Sequence, residues 1–162
     1  MLTQTTELAI KVLILLALKE QGRPYAPRVL AGWIGCSPTY LSKILGQLSK
    51  AGLLRSIRGA RGGVMLAGPA EKITLLAIVE ACQGLLVGNY CRAIGDEDGP
   101  VCAFHEAMLK VHRAMVGVLK HWTLSELAAC PAPTGHLAGN AQCRMRTEGV
   151  DLSALAAAGK VK

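Results

Sequence analysis

Residues 37–66, SPTYLSKILGQLSKAGLLRSIRGARGGVML, set a helix, a glycine stop and a glycine-split pair of short strands in immediate succession. Ser37 suits a helix N-cap and Pro38 suits the first helical position, where a missing N–H costs nothing. Leu41, Ile44, Leu45 and Leu48 recur at helical spacing and form the buried stripe; Gly52 ends the helix. The opposite face carries Thr39, Tyr40, Ser42, Lys43, Gln47 and Lys50, polar and basic groups able to reach base edges and phosphates in a major groove. LLRSIR and VMLAG flank the loop GARGG, which reads as a β-hairpin with Arg58 and Arg61 at its tip.

Upstream, Thr3 or Thr5 can cap a helix from about Thr6 to Gln21 with Leu8, Val12, Leu15 and Leu16 as its apolar stripe. A short helix follows around Arg28 to Gly32, then the turn IGCS. Two helices joined by a short turn make a helix-turn-helix, and the hairpin makes a wing beside it. The fold class expected is mainly α: a winged helix-turn-helix with a small β-hairpin wing and a long dimerisation helix.

Charge separates along the chain in the same sense. The net charge is +7, and residues 1–72 carry all of it, with ten Lys or Arg against Glu7, Glu20 and Glu71. Residues 73–162 balance eight basic against eight acidic groups. A basic first half beside a neutral second half is the footprint of a phosphate-binding surface, here double-stranded operator DNA. No nucleophile–base pair stands out, and GARGG lacks the Lys-Ser/Thr of a nucleotide loop, so an enzyme is not expected. ELAIKVLILLALKEQG is apolar, but Glu7, Lys11 and Lys19 interrupt it and it is too short to span a bilayer. A cytoplasmic protein with no membrane association is expected, in which six cysteines serve as free, metal-binding or redox-active thiols rather than disulfides.

Downstream, Thr74 caps the helix ITLLAIVEACQG, with Leu75, Ile78 and Val79 inward. The segment PVCAFHEAMLKVHRAMVGVLKHW starts a long helix at Pro100, and Val101, Met108, Val111, Met115, Val118 and Leu119 recur along it. So long an apolar stripe on a small protein implies a partner helix, from a second copy in a homodimer. Thr123 and Glu126 form a capping box for a final helix. The organisation expected is a DNA-binding domain over 1–80, a sensor loop over 81–100, a dimerisation helix with a short following helix over 101–128, and a flexible tail over 129–162 with a helical turn near Leu152–Ala158.

Cys91, Cys102 and His105 cluster around an acidic loop, three candidate metal ligands and one short of a closed shell. LTQTTELAIKVLILLA, the run from SPTYL through RGARGG to ITLLAIVEAC, and these cysteines resemble the winged-helix regulators that include IscR, NsrR and RsrR, over roughly residues 1–128. The resemblance implies a homodimeric transcription factor; many members hold an iron–sulfur cluster that senses cluster supply, nitric oxide or redox state, and some hold none. Cys91 and Cys102 match the first and last cysteines of the family's cluster motif, and His105 matches a histidine found three positions later in some members. The middle cysteine is missing here, and the loop offers Asp96, Glu97 and Asp98 instead. Histidine and carboxylate can replace thiolates on iron. Glu7 stands where related regulators supply an acidic ligand from the partner subunit's first helix, and Lys11 stands where a two-cysteine member has a histidine.

Cys91, Cys102, His105 and a Glu7 from the other subunit therefore make a shell for an iron–sulfur cluster, 2Fe–2S in preference to 4Fe–4S. Cys82 is the reserve ligand, the same donors suit zinc, and Glu7 could instead merely complement its helix dipole. The alternative to a cluster sensor is a cluster-free winged-helix regulator controlled by cysteine redox chemistry, a small ligand or a protein partner.

Overall fold

Thr3 starts the first helix: its hydroxyl accepts the Thr6 N–H at 3.3 Å. In this computed structural model, which describes residues 2–19, 22–59, 61–86, 102–131, 145, 147, 150–152, 154 and 155, α1 runs Gln4–Leu18. It begins earlier and stops sooner than the apolar pattern suggested. The expected stripe is also too narrow. Ala9, Ile10, Val12, Leu13, Ile14, Leu15 and Leu16 are all buried, because α1 is packed on several sides by later helices, and a helix so enclosed is apolar nearly all round.

α2 (Pro27–Ile34) ends at Gly35, whose φ of 77° places it in the left-handed region that glycine tolerates. The turn through Cys36 leads to α3 (Pro38–Lys50), which buries Leu41, Ile44, Leu45 and Leu48 as the spacing requires. Ser37 occupies the N-cap, but its side chain makes no cap hydrogen bond. β1 (Leu54–Ile57) and β2 (Gly63–Leu66) pair antiparallel, with Leu54 opposite Leu66 and Ile57 opposite Gly63. Sequence periodicity gave no sign of one further pairing. Tyr25 and Val64 exchange both backbone hydrogen bonds at 2.9 Å, fastening the wing to the segment before α2.

That fastening explains Gly63. A Cβ at this position would run into the carbonyl of Tyr25. Gly63→Ala is therefore expected to destabilise the fold by about 1–3 kcal/mol, the usual cost of forcing atoms into packed backbone. A urea titration checks this; an unchanged midpoint would mean that the wing is not held to Tyr25.

A single 3-10 turn (Ala70–Lys72) precedes α4 (Leu75–Gln83), whose N-cap Thr74 accepts the Ala77 N–H at 3.2 Å. Ile78 and Val79 face inward as expected, joined by Leu76, whereas Leu75 is half-buried. The long helix α5 spans Ala103–His121 with Cys102 as its N-cap, so it starts after the expected Pro100, which lies outside the described residues with Val101. α6 (Leu124–Ala129) opens on the expected capping box. The Glu126 carboxyl accepts both the N–H and the hydroxyl of Thr123 at 2.8 Å, which holds it below its ordinary range. The Leu75 N–H donates to Trp122 and the Leu124 N–H to Ile73, at 2.8 and 2.7 Å, pinning the far end of α5 to the start of α4.

α1 packs against α3, α4 and α6, and α4 also packs against α5. One residue of the segment expected as a tail reaches the core. Leu152 is 3% exposed within the core cluster, with Met145, Val150 and Leu155 packed against it. Its low-complexity surroundings hid an apolar anchor, and Leu155 closes a turn onto the Asp151 carbonyl at 3.2 Å. No helix among the described residues is long and apolar enough to cross a membrane.

Candidate DNA-binding surface and sensor site

The polar face of α3 turns outward. Ser37, Thr39, Tyr40, Ser42 and Lys43 are exposed. Ser42 donates its proton to the Pro38 carbonyl at 2.8 Å, so what its oxygen can still offer a ligand is acceptor capacity. Gln47 is the exception on this face. It is half-buried, and its Oε1 has no hydrogen-bond partner among the described residues. Arg58 and Arg61 are both exposed in the turn between β1 and β2, where Gly62 donates to the Gly59 carbonyl at 2.9 Å. A Cβ on Gly62 would strike the Ile57 carbonyl, so the tight tip that presents the two arginines needs glycine there. α3 packs on β1, and the helix face and the arginine tip thus belong to one packed unit. One contact escaped sequence reasoning: the Tyr40 hydroxyl lies 2.8 Å from the hydroxyl of Thr5 on α1. In sequence Thr5 reads only as an alternative helix cap, and no periodicity signals a contact between two hydroxyls so far apart in the chain.

Cys102 and His105 meet on one turn at the start of α5. The Cys102 sulfur accepts the His105 N–H at 3.5 Å, serving as the N-cap. Ser, Thr, Asn or Asp would cap this helix better, so α5 itself gives little reason for a cysteine here. His105 is 7% exposed, and its Nδ1 is buried with no hydrogen-bond partner among the described residues. Buried polar groups normally find partners, and one that does not calls for an explanation such as an ion. Cys91, Asp96, Glu97 and Asp98 lie outside the described residues.

Glu7 sits half-buried in the first turn of α1, with Lys11 one turn on, also half-buried. Among the described residues no three His, Cys, Asp or Glu side chains converge as a metal-binding group, so Glu7 does not join Cys102 and His105 of its own chain in one. Cys82 is half-buried at the edge of the core. Burial pushes its thiol up, and a hydrogen bond with the Thr6 side chain partly offsets this. Cys36 is likewise pushed up by burial, partly offset by the charge of Lys11. Both pack as small apolar residues.

A basic, exposed recognition helix beside an arginine-tipped wing defines a winged-helix DNA-binding regulator. Residues 2–130 match the Rrf2 family, described as iron-dependent transcriptional regulators, and the chain belongs to that family. Its members are transcription regulators, not enzymes, and they bind DNA and typically act as dimers. The chain is 30% identical over 141 residues to protein aau3 of Rhizobium meliloti, covering 85% of this chain and 91% of that protein. CymR of B. subtilis, the global cysteine regulator, superposes with a TM-score of 0.65 at 26% identity, over 80% of this chain and 96% of CymR. CymR of Staphylococcus aureus gives 0.60 at 30% identity, over 77% and 95%. IscR of T. potens shares the fold with a TM-score of 0.66 at 22% identity, over 85% and 95%.

Proposed function

We propose that this protein is a homodimeric, operator-binding regulator that senses redox state, nitric oxide or iron–sulfur status through a 2Fe–2S cluster held by Cys91, Cys102 and His105 of one subunit and Glu7 of the other. The observation that carries the sensor half is the pairing at the start of α5: a cysteine where a better cap was available, one turn from a buried imidazole whose Nδ1 has no partner among the described residues. Those two donors fit such a group. A cluster bound there would supply a one-electron redox centre that is open to attack by nitric oxide and oxygen. Cys102 and His105 would hold it at the helix start. Glu7 would hold it from the first turn of the other subunit's α1, as a harder oxygen donor and hence the most labile ligand. Glu7 would then tie the DNA-binding half of one chain to the sensor loop of the other. Purification without oxygen, with absorption recorded and iron and sulfide counted, tests this. Brown protein with matched iron and sulfide is expected; colourless protein after reconstitution would remove the cluster, and zinc in its place would reassign the site.

The dimer reading rests on α5. Phe104, Val111, Val118 and Trp122 are 64%, 47%, 60% and 48% exposed, a run of large apolar groups that an isolated chain leaves to water. A second copy of α5 covers them and sets two wings on half-sites about one DNA turn apart.

The DNA contacts divide by role. Arg58→Ala or Arg61→Ala is expected to weaken binding to most sequences and flatten the salt dependence, since each removes a phosphate or minor-groove contact. Tyr40→Ala or Lys43→Ala is expected to change the preference among operator variants, by about 1–3 kcal/mol per lost base contact. Titrations on a selected operator separate the two, and unchanged affinity for all four variants would take this surface out of the mechanism. Ser37, Thr39, Ser42 and Gln47 complete the proposed contact set.

A cluster-free regulator is the second reading. It is favoured by the likeness to the B. subtilis global cysteine regulator.

A further inference from the structure

Tyr40 stands at the third position of α3 and Thr5 at the second of α1, yet their hydroxyls are 2.8 Å apart across 35 residues of chain. Tyr40 remains 37% exposed, so packing alone does not fix its ring. The neighbouring threonines of α1 are otherwise engaged. Thr3 and Thr6 hydrogen-bond each other at 3.0 Å, and Thr6 is fully buried beside Cys82. Thr5 is the one hydroxyl in this turn that reaches the recognition helix.

We propose that Thr5 is a positioning residue for DNA readout: by holding the Tyr40 hydroxyl it sets the direction in which the phenol is presented, and so conveys the position of the first turn of α1 to the base-reading face of α3. The proposal rests on the reading of α3 as that face. A tyrosine side chain has few torsions, and a hydrogen bond at its tip fixes both, so less ordering remains to be done when DNA binds. The bond also fixes the hydrogen-bonding character of the phenol. Whichever hydroxyl donates, one site on Tyr40 is filled and the remaining one has a set orientation. Glu7 follows two residues after Thr5 on the same turn. A shift of that turn as a whole would move Thr5, and with it the tether on Tyr40.

Thr5→Val isolates the effect, because it keeps the β-branched shape and a nearly equal helix propensity while deleting the hydroxyl. Thr5→Ser keeps the hydroxyl. Metal-free wild type, both Thr5 variants, Tyr40→Phe and Tyr40→Ala are titrated at fixed salt against an operator selected from random duplexes and its single-base variants. Thr5→Val and Tyr40→Phe are expected to alter discrimination at the same base position by about two- to tenfold, the range expected for freeing one ordered side chain. The double variant should go no further, and Thr5→Ser should match wild type. A Thr5→Val profile identical to wild type while Tyr40→Phe departs from it would overturn the tether and leave Tyr40 as a reader. A uniform fall in affinity with unchanged base preference would make Thr5 merely structural and overturn the proposal. If even Tyr40→Ala leaves the profile unchanged, the reading of Tyr40 itself fails, and the tether fails with it.

Discussion

Replacing Met115 and Val118 together by glutamate is expected to yield a monomer that binds its operator about 10²–10⁴-fold more weakly than the wild type. The estimate follows from two half-sites engaged by one dimer, where the second contact is made at high effective concentration and is lost with the linkage. Val118 is 60% exposed and Met115 half-buried, on the helix that also presents Phe104 and Val111. Two carboxylates placed at such a contact would have to shed their water against a partner's apolar face, which ion-sized groups do only at a cost of several kcal/mol each in proteins generally. Because Val118 is largely exposed and Met115 belongs to neither core cluster, the substitution should spare the monomer fold. Light scattering reads the oligomer directly, and intact dimers in the double variant would place the interface elsewhere.

Cys102→Ala is expected to abolish the visible absorption of the anaerobically purified protein, with iron and sulfide falling together. Glu7→Gln keeps size and helix propensity but is a weaker iron ligand, so it should leave a cluster that decays faster in air. Cys102 is exposed and, among the described residues, serves only as a weak cap on α5, so its loss should not unfold the chain. Wild-type spectra and air lifetime in the Glu7 variant would return that carboxylate to the modest task of complementing the positive end of α1, which contributes about 0.3–1 kcal/mol. On the proposed reading, the two variants separate a ligand that the shell cannot do without from one that governs its lability.

Local rules carried the sequence reading where local chemistry decides the structure. Leu41, Ile44, Leu45 and Leu48 give α3 its buried stripe, Thr74 and Thr123 cap their helices, and the glycines around Arg61 make the wing tip. Less is legible where distant parts of the chain meet. α1 reads as an amphipathic helix with one stripe, but it lies at the centre of the packing and is buried around most of its circumference. Leu152 stands in an Ala- and Gly-rich stretch with no period, yet it reaches the core. The Tyr25–Val64 bridge and the Thr5–Tyr40 contact join residues whose types carry no mark of each other. For the proposed sensor site, sequence supplies the donor types. It does not show that the His105 ring is buried with its Nδ1 unpartnered among the described residues, because that depends on how α5 packs.

The central claim is that the state of the site at Cys102, His105 and Glu7 governs how this protein engages DNA, and binding to one selected operator tests it most directly. Cluster-loaded and metal-free dimers are titrated side by side without oxygen, at one fixed salt concentration because phosphate contacts make affinity salt-dependent. Curves at least tenfold apart are expected, a difference that corresponds to about 1.4 kcal/mol of coupling, and the gap should close in Cys102→Ala. Superimposed curves from protein verified to carry matched iron and sulfide would contradict it.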